Sequence, residues 1–169
     1  EQVDNGVEWT LEAGISPGLN MLFGNLGDTK ETLQKAVDFL IEYDDQAQRR
    51  TIRPVTPYPG SPLYYMAIER GLLEGPADFY EKKHLNSDLL CCNFTELSDE
   101  EVYAALEDAN KQLAVNFFDS NRDNALSQIE YLYREKDTTF RGFRQGMKSQ
   151  GKSAPATGAS FGAAASDSM

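Results

Sequence analysis

Two adjacent thiols, one imidazole and a proline-rich loop are the groups in this chain from which chemistry could be built. The thiols are Cys91 and Cys92. Neighbouring cysteines rarely close a disulfide, and two thiolates do not complete a zinc or iron–sulfur site. The preferred reading is that both pack, and no metal ligand set is expected. Free thiols fit a reducing compartment, so a cytoplasmic location is expected. His84 is the single histidine. That excludes a multi-histidine metal site and argues against a Ser-His-Asp relay. The loop is Thr56-Pro57-Tyr58-Pro59-Gly60-Ser61-Pro62-Leu63. Its three prolines and one glycine prevent it from continuing a strand or a helix. A stiff loop at the carboxyl end of a strand is where α/β folds hold ligands. A plain structural turn has the same composition.

The elements that must position this loop follow from local pattern. Arg50 to Val55 reads as a short strand entering it. Ser61 suits the cap and Pro62 the first turn of a helix over 62–70, closed by Gly71. Upstream, Val7 to Ala13 reads as the end of a helix closed by Gly14. Leu19-Asn20-Met21-Leu22-Phe23 suits a buried parallel strand. A turn over 24–29 follows, with Asp28 and Glu31 at capping-box spacing. Leu33, Val37, Leu40 and Ile41 then repeat at helical spacing to about Tyr43, and Asp44-Asp45-Gln46 is a polar turn. Alternating helices and strands imply a parallel sheet covered by helices, here with strands near 19–24 and 50–55.

Further along, Glu74-Gly75-Pro76 breaks the chain, and Phe79 and Tyr80 can anchor a loop. Ser98 and Glu101 make a second capping box ahead of the stripe Val102, Leu106, Ala109, Leu113, Phe117, so a helix is expected over 99–118. A turn over Asn121 to Asn124 and another helix over Ala125 to Lys136 are expected next. From about Gly146 the chain is rich in Ser, Ala and Gly and reads as a disordered tail.

About 120–130 residues remain to bury a core, enough for one domain. The net charge of −11 argues against a nucleic-acid partner, because phosphate binding needs clustered Lys and Arg. No apolar run approaches the ~20 residues that span a bilayer, so no membrane partner is expected. The chain opens on Glu1 without a leader-like pattern and reads as the inside of a longer protein. Two strands make a poor sheet alone, so further strands are expected upstream.

Taken together, the two strand–loop units resemble the second half of a radical S-adenosylmethionine (SAM) enzyme barrel. The first match runs from Asn20 to Leu33, where many members have an apolar strand, a Gly-x-Pro-Gly-Glu-Thr turn and a helix. Here Leu26 stands for the proline and Asp28 for the glutamate. The second is Thr56 to Leu63, similar to a Pro-Tyr-Pro-Gly-Thr-Pro-Leu loop with Ser61 for threonine, followed by Gly71-Leu72-Leu73. Asn93 to Leu97 looks like the family's downstream segment, so the resemblance covers roughly residues 5–118. The subgroup it most resembles often carries an amino-terminal cobalamin-binding domain.

The resemblance implies an α/β fold: the distal half of a partial (β/α)6 TIM-like barrel followed by C-terminal helices. Residues 1–71 would be barrel units, 72–145 a helical extension and 146–169 the tail. It also implies SAM and a [4Fe–4S] cluster in the full-length protein, with cobalamin as a further cofactor of the subgroup. The cluster-binding Cys-x-x-x-Cys-x-x-Cys loop is not in this sequence, and Cys91-Cys92 does not replace it. The missing amino-terminal barrel half is therefore an implied partner, beside a small-molecule substrate the sequence does not name. Asn20 would hydrogen-bond SAM hydroxyls, with an ordinary polar strand start as the alternative. Phe23 and Gly24 would flank adenine, Gly24 by close backbone approach, with core packing the alternative for Phe23. Arg53 would meet a substrate carboxylate or phosphate, or lie on the surface. Thr56 and Tyr58 would stand at the barrel mouth near substrate, or Tyr58 would pack beneath the loop. Two rival readings stay open: a binding or scaffold module without catalysis, and a piece of an unrelated α/β barrel.

Overall fold

The computed structural model describes residues 2–139. In chain order these form helix α1 (Gln2–Glu12), strand β1 (Met21–Phe23), helix α2 (Lys30–Glu42), strand β2 (Ile52–Pro54) and helix α3 (Pro62–Glu69). A single turn α4 (Pro76–Asp78), a π-helical turn (Phe79–Lys83) and the long helix α5 (Asp99–Glu135) follow. The strands pair in parallel, with Met21 opposite Ile52, Leu22 opposite Arg53 and Phe23 opposite Pro54. Helix α2 is the crossover that parallel pairing requires. The fold is thus a helix-rich mixture of α and β, and the described residues supply two strands of sheet.

Burial follows the two periodicities. Leu33, Val37 and Leu40 put one side of α2 against the sheet, which answers with Phe23 and Ile52. Val102, Leu106, Ala109 and Leu113 close the same core from α5. Each of these valine, leucine, isoleucine and phenylalanine side chains contributes about 1.5–3 kcal/mol by leaving water. A second core joins Tyr64 and Ala67 of α3 to Leu73, Phe79, Cys91, Cys92 and Phe94. It seats the segment after α3 against the proline loop.

Two local expectations are corrected. The cap of α2 is Thr29, not Asp28: Thr29 accepts from the Thr32 N–H at 3.3 Å, and the Thr32 hydroxyl accepts from the Thr29 N–H at 2.9 Å. The Asp28 carboxylate is held instead by upstream amides, so the helix begins one residue later. The turn over 121–124 and the separate helix after it do not form; α5 is continuous to Glu135. No Gly or Pro interrupts that stretch. Its polar side chains bond along the helix, Asn121 back to the Phe117 carbonyl at 2.7 Å and Arg122 to Asp119 at 2.8 Å. At the amino end, α1 covers Gln2–Glu12 and Gly14, with φ +72°, turns the chain out of it.

The caps placed at Ser61 and Ser98 form as expected. Ser61 accepts from the Tyr64 N–H, and Ser98 with Glu101 closes a reciprocal box. No helix among the described residues is long and apolar enough to cross a membrane. The Ser/Ala/Gly-rich tail lies outside the described residues.

Candidate functional site

Parallel pairing sends the two loops singled out in the sequence out of the same end of the sheet. The Val55 N–H donates to the Phe23 carbonyl at 2.8 Å, carrying the pairing one residue past β2. Because side chains alternate, Leu22 and Arg53 share the face opposite the core. Leu22 is 63% exposed there, whereas Phe23 is 2% exposed on the helix-covered side. Asn20 is exposed just before β1. Gly24 and Val55 follow on the same side, where Val55 packs against the second core, and a Cβ at Gly24 would lie 3.9 Å from Val55 Cγ1 and 4.0 Å from Leu90 Cδ2. The structure therefore brings Asn20, Gly24 and Arg53 to one side. The Phe23 ring goes to the other, into the core with Leu33, Val37 and Leu40.

The turn after β1 is closed on itself. Asp28 Oδ2 accepts from the Gly24 N–H at 3.0 Å and the Asn25 N–H at 2.8 Å. Both amides that point into the turn are thus satisfied internally, which leaves them without a free donor for an anion. Gly24 has φ +101°, a conformation that favours glycine.

On β2, Arg53 extends into solvent and its Nε meets Asp88 Oδ1 at 2.9 Å. Thr56 is half-buried at the start of the proline loop. Tyr58 is 52% exposed and leans on the segment after α4. Its ring lies 5.8 Å from Phe79 and 5.3 Å from His84, and its hydroxyl is 3.4 Å from His84 Nε2. The His84 ring stacks on Phe79 at 4.9 Å, while its Nδ1 is buried without a partner among the described residues. Tyr58 and His84 are thereby brought together, and Arg53 stands apart with Asp88. Asp88 and His84 have no motif around them. Only long-range folding reveals them as neighbours of Arg53 and Tyr58.

The outer edge of β2 is closed by a side chain from α5. Asn110 Oδ1 accepts from the Ile52 N–H at 3.0 Å, and Asn110 Nδ2 donates to the Ile52 carbonyl at 2.9 Å. Below it, the segment entering β2 is anchored by buried charge. Asp44 Oδ2 accepts from Asn116 Nδ2 at 2.7 Å, and Arg50 Nη2 meets Asp45 Oδ1 at 3.2 Å with both side chains buried. This end of the sheet is held by buried polar contacts.

The cysteines do not fit an iron–sulfur cluster. Cys91 and Cys92 are buried with their sulfurs 3.9 Å apart. Loss of water, and then the neighbouring thiol, pushes Cys92 up to about 12, and burial raises Cys91 as well. Metal ligation needs thiolate. No cluster of three or more His, Cys, Asp or Glu side chains suited to a metal occurs among the described residues. On the face away from the main core Leu22 and Asn20 are exposed, while Val55 and Leu90, the side chains nearest Gly24, are half-buried against the two cores. Comparison with family models, curated proteins and solved structures gave no match for this chain.

Proposed function

We propose that this chain is the carboxyl-terminal part of a radical SAM enzyme, an oxidoreductase or methyltransferase acting on a small molecule in the cytoplasm. The observation that carries the reading is the parallel β1–β2 pair, which places the Gly24 turn and the Thr56–Leu63 loop at one end of the sheet. The closed outer edge of β2 adds to it. With Asn110 on Ile52, further strands join beside β1, and β2 is the last strand of an open, partial barrel. Reductive cleavage of SAM belongs to the missing part, where the cluster-binding cysteines stand, and no residue here is given a role in it.

The residues present bind and orient. The Asn20 amide hydrogen-bonds the SAM ribose, beside exposed Leu22. Phe23 supports this strand from the core side rather than stacking on adenine. Arg53 exchanges Asp88 for a carboxylate or phosphate of the substrate, using the same planar donors. Thr56 and Tyr58 border the mouth through which substrate enters. Cobalamin, where the full-length protein carries it, sits on an upstream domain. A second reading, a binding module without catalysis, draws on the Gly24 and Asn25 amides being occupied by Asp28.

Anaerobic reconstitution with iron and sulfide separates the two. The protein of the complete reading frame takes up one cluster with charge-transfer absorbance, and this chain alone takes up none. A complete protein with no cluster leaves the binding module standing.

A further inference from the structure

The contact between His84 and Tyr58 has a direction, and the burial of one ring nitrogen sets it. His84 ends the π-helical turn, where its backbone N–H donates to the Phe79 carbonyl at 2.8 Å. Its ring stacks on the fully buried Phe79 ring at 4.9 Å, with the planes 19° apart. This seat aims Nε2 at the Tyr58 hydroxyl, 3.4 Å away. It also buries Nδ1, which has no hydrogen-bond partner among the described residues. The two neutral tautomers are therefore unequal. A proton on Nδ1 is a buried donor without an acceptor. A proton on Nε2 leaves Nδ1 a bare lone pair and finds the Tyr58 oxygen as its acceptor. The second arrangement costs less. Tyr58 is held to receive it: its backbone N–H donates to the Thr56 carbonyl and its carbonyl accepts from the Ser61 N–H, both at 3.0 Å.

We infer that His84 is a positioning residue, which donates into the Tyr58 oxygen and so leaves the Tyr58 O–H as an outward donor for a carboxylate or phosphate oxygen of the substrate. In the opposite polarity the phenol proton would be spent on His84, and Tyr58 would offer a ligand only lone pairs. Donation into the oxygen also polarises the O–H and strengthens it as a donor. Tyr58 is half exposed, so a ligand can reach it. Arg53 is a donor without acceptor capacity as well. Both substrate-side residues thus select an oxyanion and discriminate against an ammonium group. The inference rests on the proposed placement of Tyr58 toward substrate, and it is independent of SAM cleavage.

Nuclear magnetic resonance of this chain tests it, because His84 is the single histidine and gives one set of ring signals. In mildly alkaline solution, where imidazole is neutral, the ring nitrogen shifts should place the proton on Nε2. Its N–H signal should be visible in the wild type and lost to water exchange in Tyr58→Phe. A proton on Nδ1, or an N–H signal indifferent to Tyr58→Phe, overturns the inference. Acetate is the ligand probe, with tetramethylammonium as the cationic control. Acetate should shift the Tyr58 ring signals, and tetramethylammonium should not. The acetate affinity should fall about threefold in His84→Leu and return in His84→Gln, whose amide nitrogen can also donate to Tyr58. No acetate shift in the wild type, or equal affinity in His84→Leu, overturns the inference. A complete protein that takes up no cluster contradicts the enzymatic reading and leaves these results standing.

Discussion

At Gly24 the backbone carries φ +101°, and an added Cβ would lie at ordinary contact distance from Val55 and Leu90. A methyl group fits there, so Gly24→Ala acts through the backbone rather than through a clash. The expected loss in urea unfolding is about 1–2 kcal/mol, the usual cost of a left-handed residue with a Cβ. A neutral result would mean the turn relaxes to negative φ. Cys92 supplies a pH dependence. Its folded value is raised from 9.0 to about 12, so the folded state holds the proton more tightly than the unfolded chain. Its contribution is complete below about pH 9 and is lost as pH climbs toward about 12. Unfolding free energies measured at about pH 8 and about pH 11 should fall more steeply in the wild type than in Cys92→Ala. Parallel slopes would show that the thiol titrates normally.

Helix α5 acts on the sheet chiefly through Asn110, whose amide occupies the Ile52 backbone as a neighbouring strand would. Asn110→Ala strands both groups of a buried residue. The expected cost is about 1–3 kcal/mol in chemical denaturation, with faster amide exchange at Ile52. Unaltered exchange at Ile52 would mean that water replaces the side chain freely. The sequence shows the elements better than it shows their ends. The parallel strands, the Ser61 and Ser98 caps and the α2 stripe depend on local spacing, and all three are legible. Asp28 was misread because two upstream amides compete for its carboxylate, a contest that spacing does not reveal. Asn121 to Asn124 has a turn-like composition, but its side chains find partners within the helix. That Asn20, Gly24 and Arg53 share one side of the sheet follows from alternation along the strands. Asp88 and His84 were not legible, because each meets its partner only through the irregular segment after α4. Phe23 was open between two roles until strand direction assigned its ring to the core.

On the scale of the whole molecule, a two-stranded sheet covered on one face and closed at one edge leaves a face and an edge open. Exposed Leu22 and the free edge of β1 are where upstream strands complete the sheet in the proposed enzyme. In that proposal SAM lies on the same open face, beside Asn20. Calorimetric titration of SAM into the anaerobically reconstituted protein of the complete reading frame addresses this most directly. The expected result is one SAM per chain, weakened by about 0.5–1.5 kcal/mol in Asn20→Ala, the net value of one neutral hydrogen bond. Thr56→Ala, on the substrate side, leaves the affinity near that of the wild type. Equal affinity in wild type and Asn20→Ala would move the cofactor off this strand, and no SAM binding by the wild type would contradict the assignment to a radical SAM enzyme.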